Sequence, residues 1–237
     1  MRSAAAAGLA LAALAAAPGV ANAAVAVDVN KPCYAEGDEI DVNGSGFTPE
    51  GDVRLTLERA TGEVLETSTD PTAGPDGSLA GGYVVKDETG WFGPTQTRFQ
   101  MTMRTVDVTR EQAGQPASSP DVGATTSFIF SRWNVGIRAV GGRIHPARPV
   151  SINALGFTTS IRRPLFAHWM RNGTRVHTRR LGVLRGPCGD LRTRLSRGFP
   201  FRPVRPGRYE VRFSPSRTNT RRSAITHRAA RVTRRIP

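Results

Sequence analysis

The 237-residue sequence lacks the motifs by which several enzyme classes are recognised. It contains no Gly-x-Ser-x-Gly, no phosphate-binding Gly-rich loop, no Cys-x-x-Cys and no His-Glu-x-x-His. Acidic side chains are scarce in residues 126–237, where Asp190 and Glu210 are the only two. The paired carboxylates of a glycosidase therefore cannot come from this half alone. We expect a protein that is not an enzyme and that uses no metal and no cofactor.

Long apolar runs are missing after residue 24, where no stretch approaches the ~18 residues of a membrane-spanning helix. We expect no transmembrane segment in the mature chain. Residues 1–24 have the three parts of a signal peptide: Arg2, an apolar run from Ala4 to Ala17, and small residues at Ala21 and Ala23. The alternative is an N-terminal helix that the mature protein keeps. The signal pattern predicts a secreted protein, either extracellular or associated with the cell wall.

An internal repeat organises the rest of the chain. The stretch Ile40–Pro49 recurs 110 positions later as Val150–Thr159, with Asn, Gly, Phe and Thr in register. At the same offset, Phe99–Met103 falls on Tyr209–Phe213, and both runs follow a turn marked by proline. Solenoid repeats are roughly 20–50 residues long, whereas an immunoglobulin-type sandwich has ~100. The repeat therefore predicts two domains of one fold, at residues 25–130 and 131–237.

Short alternating runs separated by turn residues are typical of an all-β sandwich. The strands expected in the first domain are 40–44, 53–58, 64–66, 79–85, 97–105 and 125–130. Residues 111–123, rich in Ser, Pro, Gly and Ala, are expected to form a long mobile loop. Because Phe130 is followed almost at once by Trp133, we expect the last strand of the first domain to lead directly into the second domain.

The repeated motif resembles the second strand of bacterial Ig-like domains in secreted and surface proteins. The resemblance is carried by Ile40–Pro49, by Asp76-Gly77-Ser78-Leu79 and by Pro206-Gly207-Arg208-Tyr209-Glu210-Val211. It implies a sandwich fold and brings no catalytic residues. The predicted fold class is all-β: two consecutive Ig-like β-sandwich domains after a signal peptide.

The dipeptide Asn172-Gly173 between two patterned runs predicts a two-residue hairpin. In that register Trp169 pairs with Val176, and His168 pairs with His177. The face expected in the core carries Leu165, Ala167, Trp169, Val176 and Thr178. The opposite face is basic and partly aromatic. A metal would need three or four ligands, so we interpret the two histidines as exposed residues among arginines.

Charge is divided unevenly along the chain, whose total is +14. Residues 1–125 hold 8 basic and 17 acidic side chains, whereas residues 126–237 hold 25 arginines, no lysine and the two acids. Such asymmetry suggests an anionic partner or docking of the two halves on each other. The alternative is a compositional bias, in which arginine fills ordinary solvated positions. The candidate binding residues of the second domain are Phe166, His168, Arg175, His177, Arg179, Arg192, Arg194, Arg208 and Arg212.

The two cysteines, Cys33 and Cys188, fall one in each predicted domain. In an oxidising compartment, two lone cysteines most economically pair with each other. We therefore hypothesise a disulfide between the domains. Two free thiols or an intermolecular bridge are the alternatives.

These features favour a non-enzymatic structural or binding module of the cell envelope. Its second domain would contact an anionic envelope polymer or another surface protein. The signal pattern argues against intracellular nucleic acid as the partner. One alternative is a small-ligand carrier that resembles the neocarzinostatin type, although the paired intradomain cysteines of those proteins are missing. Another is an enzyme whose site is built from scattered residues, which a cluster of buried groups with shifted pKa values in a pocket would favour. A deep apolar cleft in the second domain would favour the carrier, and a flat basic face would favour the binding module.

Overall fold

The computed structural model describes residues 23–69, 71–84, 90–93, 95–139, 144–218, 225–233 and 236, with backbone only at 84 and 226–230. The predicted signal peptide, apart from Ala23 and Ala24, lies outside the described residues. The regular secondary structure of the described chain is almost entirely β-strand, and its sheets form two consecutive Ig-like sandwiches, which confirms the predicted all-β fold class.

The first sandwich contains eight strands and one short helix among the described residues. They are β1 (Ala26–Val29), β2 (Cys33–Ala35), β3 (Glu39–Ser45), β4 (Val53–Arg59), β5 (Val64–Ser68), β6 (Leu79–Val84), β7 (Arg98–Asp107), α1 (Val108–Gln112) and β8 (Gly123–Ser131). One sheet has the order β1-β3-β6, and the other has the order β2-β8-β7-β4-β5. The six strands predicted for this domain are all present. The expected loop at 111–123 instead begins inside α1, whose first turn is capped by the Asp107 side chain.

The second sandwich repeats this arrangement. Its strands are β9 (Asn134–Ala139), β10 (Val150–Leu155), β11 (Pro164–Arg171), β12 (Thr174–Val183), β13 (Leu191–Leu195), β14 (Gly207–Ser214) and β15 (Ile225–Val232). The sheet orders are β13-β10-β9 and β12-β11-β14-β15. Each of these strands therefore has a counterpart in the first sandwich: β9 corresponds to β1, and the series continues in order until β15, which corresponds to β8. Only β2, which pairs in parallel with β8, has no counterpart among the described strands.

The repeated Gly-Phe corner occupies the same place in both sandwiches. Gly46 has φ +84° and Gly156 has φ +75°, a backbone conformation that residues with a side chain rarely adopt. A Cβ at Gly46 would stand 2.4 Å from the Ala24 carbonyl oxygen, and one at Gly156 would stand 2.5 Å from that of Arg132. The chain entering each first strand therefore packs directly on a glycine, and the phenylalanine that follows it is buried in both copies.

The buried positions repeat at the same offset. Leu55 and Met101 of the first core correspond to Leu165 and Val211 of the second, and all four side chains are buried. Each sandwich has its own cluster of buried apolar side chains between its two sheets. Both cores thus follow from the period-2 alternation of the strands that face them.

The two sandwiches meet at a bonded junction. β8 ends at Ser131 and β9 begins at Asn134, as the sequence predicted. Arg98 Nη2 of the first sandwich lies 2.9 Å from both carboxylate oxygens of Asp190 in the second. Next to this pair, Cys33 and Cys188 form the hypothesised disulfide, with a Cα–Cα distance of 5.3 Å. Both cysteines are fully buried.

The predicted hairpin is present, but its expected register is wrong beyond the first two pairs. Arg171 pairs with Thr174 and Met170 with Arg175, as expected. An irregularity between Trp169 and Met170 then shifts the register, so that Trp169 pairs with His177. Such a bulge places one extra residue on one strand. Val176 is therefore not a core residue but is 39% exposed.

Candidate functional site

A basic depression lies on the outer face of the sheet β12-β11-β14-β15. Arginine side chains line it at Arg175 and Arg180 on β12 and at Arg217 in the turn after β14. Between them lie Phe166 and Thr178. Two adjoining hollows of about 480 and 440 Å³ share Thr178 and Arg217 and make up the depression. We call it the arginine groove.

Strand alternation places these residues on one face. Phe166 pairs with Arg180 and His168 with Thr178, so all four side chains point away from the core. Because β12 is the edge strand, its other side carries no partner strand in the described sheet, and Arg175 and Arg180 are exposed. The bulge adds the exposed Val176 to the same rim.

The His168 side chain anchors the turn that carries Arg217. This side chain was expected to be exposed and is fully buried instead, because the turn after β14 covers it. Its Nε2 donates to the Ser216 carbonyl oxygen at 3.0 Å, since a carbonyl can only accept. Its Nδ1 then accepts from the Thr178 hydroxyl at 3.0 Å. Arg175 Nη1 donates to the Arg217 carbonyl oxygen at 3.3 Å, so the turn is held from two sides.

Burial lowers the pKa of His168 below its ordinary value of 6.5, and the nearby Arg175 charge lowers it further, against the opposing effect of the Ser216 hydrogen bond. Burial, and then the charge of Arg179, likewise lowers the pKa of His177. Both imidazoles are therefore kept neutral at neutral pH. The positive charge of the groove comes from its guanidinium groups and not from histidine.

The two carboxylates of residues 126–237 form ion pairs with arginines that do not line the arginine groove. Asp190 pairs with Arg98 at the junction, and Glu210 Oε2 lies 3.5 Å from Arg212 Nη2. Among the described residues, no ion pair involves Arg175, Arg180 or Arg217. A guanidinium without a carboxylate partner presents up to five donors to an external anion.

The predicted site residues do not share one surface. Phe166, Arg175, Arg208 and Arg212 lie on the outer face of the β12-β11-β14-β15 sheet. His177 and Arg179 pair with Trp169 and Ala167 and so point toward the inner face. The reason is the bulge at Val176, which reverses the side-chain directions expected for residues 177–180, up to a second irregularity at Leu181.

The remaining two predicted residues lie on the other sheet. Arg192 and Arg194 are exposed on β13, paired with Asn153 and Ser151. They face away from the arginine groove, on the opposite outer surface of the sandwich. Sequence reasoning missed Arg180 and Arg217. Arg180 was assigned to neither face of the hairpin, and Arg217 lies in a turn, where strand alternation gives no signal.

The two histidines do not form a metal pair. His168 is buried under the turn on the outer face, while His177 stacks on Phe201 of the inner side at 5.0 Å between ring centroids. In the described part of the chain, no group of three His, Cys, Asp or Glu side chains is arranged to hold a metal.

An apolar cleft lies in the first sandwich. Its volume is about 480 Å³, and it opens between β5 and β6. Val42 and Leu55 form its floor, and Gly81 and Gly82 line it. The molecule therefore has a basic groove and an apolar cleft on different sandwiches.

No protein-family model matches the sequence, and no curated protein matches it. Several solved structures overlap with it weakly. One is a mutant of Salmonella alpha-2-macroglobulin, with 13% identity and a TM-score of 0.30 over 90% of this chain and 14% of that one. Another is red sea bream transglutaminase, with 10% identity and a TM-score of 0.30 over 86% of this chain and 29% of that one.

A third is the BSP domain of a biofilm-associated protein, with 12% identity and a TM-score of 0.24 over 88% of this chain and 30% of that one. The chain thus spans less than a third of the length of each of these structures. Within the described residues, no helix has the length and apolar character needed to cross a membrane.

Proposed function

We propose that this chain is a secreted, non-enzymatic binding module of the cell envelope that holds an anionic polymer in the arginine groove. The observation that carries the proposal is the convergence of Arg175, Arg180 and Arg217 on one depression, with no carboxylate paired to them among the described residues. Guanidinium groups recognise phosphate and carboxylate through paired hydrogen bonds. Phe166 supplies an apolar wall against which a polymer backbone can pack.

Three other features support the location and the partner. The N-terminal 24 residues have a signal pattern, and the disulfide is typical of proteins outside the cytosol. Residues 126–237 carry a net charge of +23, because 25 arginines face two acids. A field of that sign attracts an anionic polymer before contact is made.

The test is a salt titration of binding to purified poly(glycerol phosphate), with the mature chain and two triple variants. The groove variant carries Arg175→Gln, Arg180→Gln and Arg217→Gln. The control variant carries Arg138→Gln, Arg192→Gln and Arg194→Gln, which removes the same charge from exposed positions on the opposite sheet.

We expect the groove variant to lose affinity at least tenfold. The slope of log affinity against log salt should become shallower by about 2, which is roughly 0.7 for each lost phosphate contact. The control variant should lose much less. Equal losses in the two variants would mean that the charge acts diffusely, and binding that does not change with salt would contradict the proposal altogether.

A further inference from the structure

The apolar cleft exists because one inward-facing side chain is missing. On β6, Leu79, Gly81 and Tyr83 pair with Gly44, Val42 and Ile40 of β3. Val42 and Ile40 are buried, so this row of β6 faces the core. Gly81 is nevertheless exposed, and a Cβ built on it would have no atom within 4 Å. A gap one side chain wide therefore separates Leu79 from Tyr83.

The gap leads to apolar side chains. Val42, Leu55, Leu79 and Tyr83 line the cleft, and each is at most 7% exposed. The volume of about 480 Å³ lies within the range of ~300–1,000 Å³ that small-molecule sites occupy. Polar surface also lines the cleft, and the hydroxyl-bearing residues Ser68 and Thr72 are among the lining residues. Buried apolar side chains combined with nearby polar groups suit a small organic molecule that has an apolar body and a polar end.

The second sandwich closes the same opening. Thr193 pairs with Ile152 as Gly81 pairs with Val42, so a side chain stands where the first sandwich has none. Leu191 packs against Gly182 of β12 and bridges the two sheets, with 2.8 Å between its Cδ1 and a Cβ built on Gly182. The edge strand is also longer there, since β12 has ten residues and β5 has five. The fold itself therefore does not require the opening.

The charge around the cleft selects against anions. Glu39 lies against Gly82 on the outer face of the same sheet, so close that a Cβ on Gly82 would overlap its carboxylate. Residues 1–125 carry a net charge of −9, from 8 basic and 17 acidic side chains. A negatively charged ligand would be repelled by this net charge as it approaches.

We propose that this cleft is a binding site for a small, mainly apolar organic molecule that carries no negative charge. The ligand fills the gap at Gly81, packs on Val42 and Leu55, and turns its polar end toward Ser68, Thr72 and the edge of β6. This site is independent of the arginine groove, since it lies on the other sandwich.

The test uses the neutral fluorophore N-phenyl-1-naphthylamine and the mature chain. We expect a saturable rise in fluorescence with one site per molecule. In nuclear magnetic resonance spectra, the naphthyl protons should show contacts to the methyl groups of Val42 and Leu55. Gly81→Leu should weaken binding at least tenfold. Gly136→Leu is the matched control, because a Cβ there also meets nothing closer than 3.8 Å and lies on β9 of the second sandwich.

The proposal is overturned if the wild-type chain shows no saturable binding, if the contacts map elsewhere, or if Gly81→Leu binds as well as the wild type. Circular dichroism shows whether Gly81→Leu folds. If it does not, Gly81→Ala and the contacts in the wild-type chain decide the matter. No arginine is changed in these variants, so their outcome is separate from that of the polymer experiment.

Discussion

The two sandwiches share a plan and differ at their edges. Their strand orders match, and their corner glycines and buried core positions recur 110 residues apart. At the edges, by contrast, β5 is half as long as β12, and Gly81 stands where the second sandwich has Thr193. Interior positions are constrained by close packing, whereas edge positions can change without disturbing the core. The groove and the cleft are both built at such edges.

The two halves also carry net charges of opposite sign, but few ion pairs between them draw on this opposition. Across the junction, the described residues form the ion pair of Arg98 with Asp190 and that of Arg132 with Glu36. In the first pair the arginine comes from the acidic half and the carboxylate from the basic half. Docking of the two sandwiches on each other therefore leaves most arginines of the second one facing outward.

The largest expected effect comes from removing the disulfide that cross-links the two sandwiches. Replacing Cys33 and Cys188 together by alanine removes a cross-link with a sequence separation of 155. A loop of that length corresponds to about 5 kcal/mol in the chain-entropy model, and measured losses are typically about 2–5 kcal/mol. We expect the double variant to have a free energy of unfolding that is lower by about 2–5 kcal/mol.

Because each sandwich has its own core, the same variant should unfold in two steps. Trp91 is buried in the first core and Trp169 in the second, so selective labelling of each tryptophan can follow the two transitions in urea. The wild-type chain under reducing conditions is the control. A single transition at the wild-type midpoint would show that the disulfide does not couple the halves.

The next largest effect tests whether the two Gly-Phe corners play the same structural role. In a chain that keeps Ala24, Gly46→Ala and Gly156→Ala should each cost about 3 kcal/mol or more, because each combines a positive φ with a Cβ less than 3 Å from a carbonyl oxygen, that of Ala24 in the first case and that of Arg132 in the second. Gly62→Ala is the control: its φ is +84° but no atom lies within 4 Å of its Cβ. We expect it to cost about 1–2 kcal/mol.

Urea unfolding of the three single variants measures these differences. The repeat predicts losses of similar size at Gly46 and Gly156. If one of them tolerates alanine as readily as Gly62 does, the two corners do not contribute equally to stability. The structural equivalence of the two repeats is then contradicted.

Much of the fold could be predicted because its signals are local. The Gly-Phe corner and the Asn172-Gly173 turn each specify their own backbone, and alternation along each strand indicates the buried face. The register of the hairpin could not be predicted, since a bulge at Val176 depends on how β12 packs against β11. His168 was misplaced for a related reason. A histidine on an outer face looks exposed until a turn distant in sequence covers it.

The candidate site was predicted in part only. Arginine enrichment pointed to the second sandwich, but the grouping of Arg175, Arg180 and Arg217 depends on the path of the turn after β14. The cleft at Gly81 left no sequence signal of its own, because a glycine in a strand is equally compatible with a bulge or a close approach of backbone. Only the pairing of Gly81 with the buried Val42 shows that a side chain is missing from the core-facing row.

The smallest expected effect is a dependence of stability on pH that arises in the second sandwich. His168 and His177 have folded pKa values below 6.5. As the pH falls below 6.5, the unfolded chain binds protons that the folded chain does not, so the free energy of unfolding decreases. The decrease ends once the pH is below the folded pKa values. Asp76 and Glu111, whose pKa values are lowered from 3.8 and 4.5, titrate at more acidic pH than this window.

Urea midpoints at pH 7.5, 6.5 and 5.5 measure this effect. His168→Gln should flatten the dependence, since glutamine does not titrate yet can still donate to the Ser216 carbonyl oxygen. The double variant, which carries His168→Gln and His177→Gln, should flatten the dependence further. His145→Gln is the control, as a histidine outside the groove and its covering turn. If the double variant keeps the full wild-type slope between pH 7.5 and 5.5, then His168 is not held neutral by the turn that covers it, and the anchoring of Arg217 in the groove must have another cause.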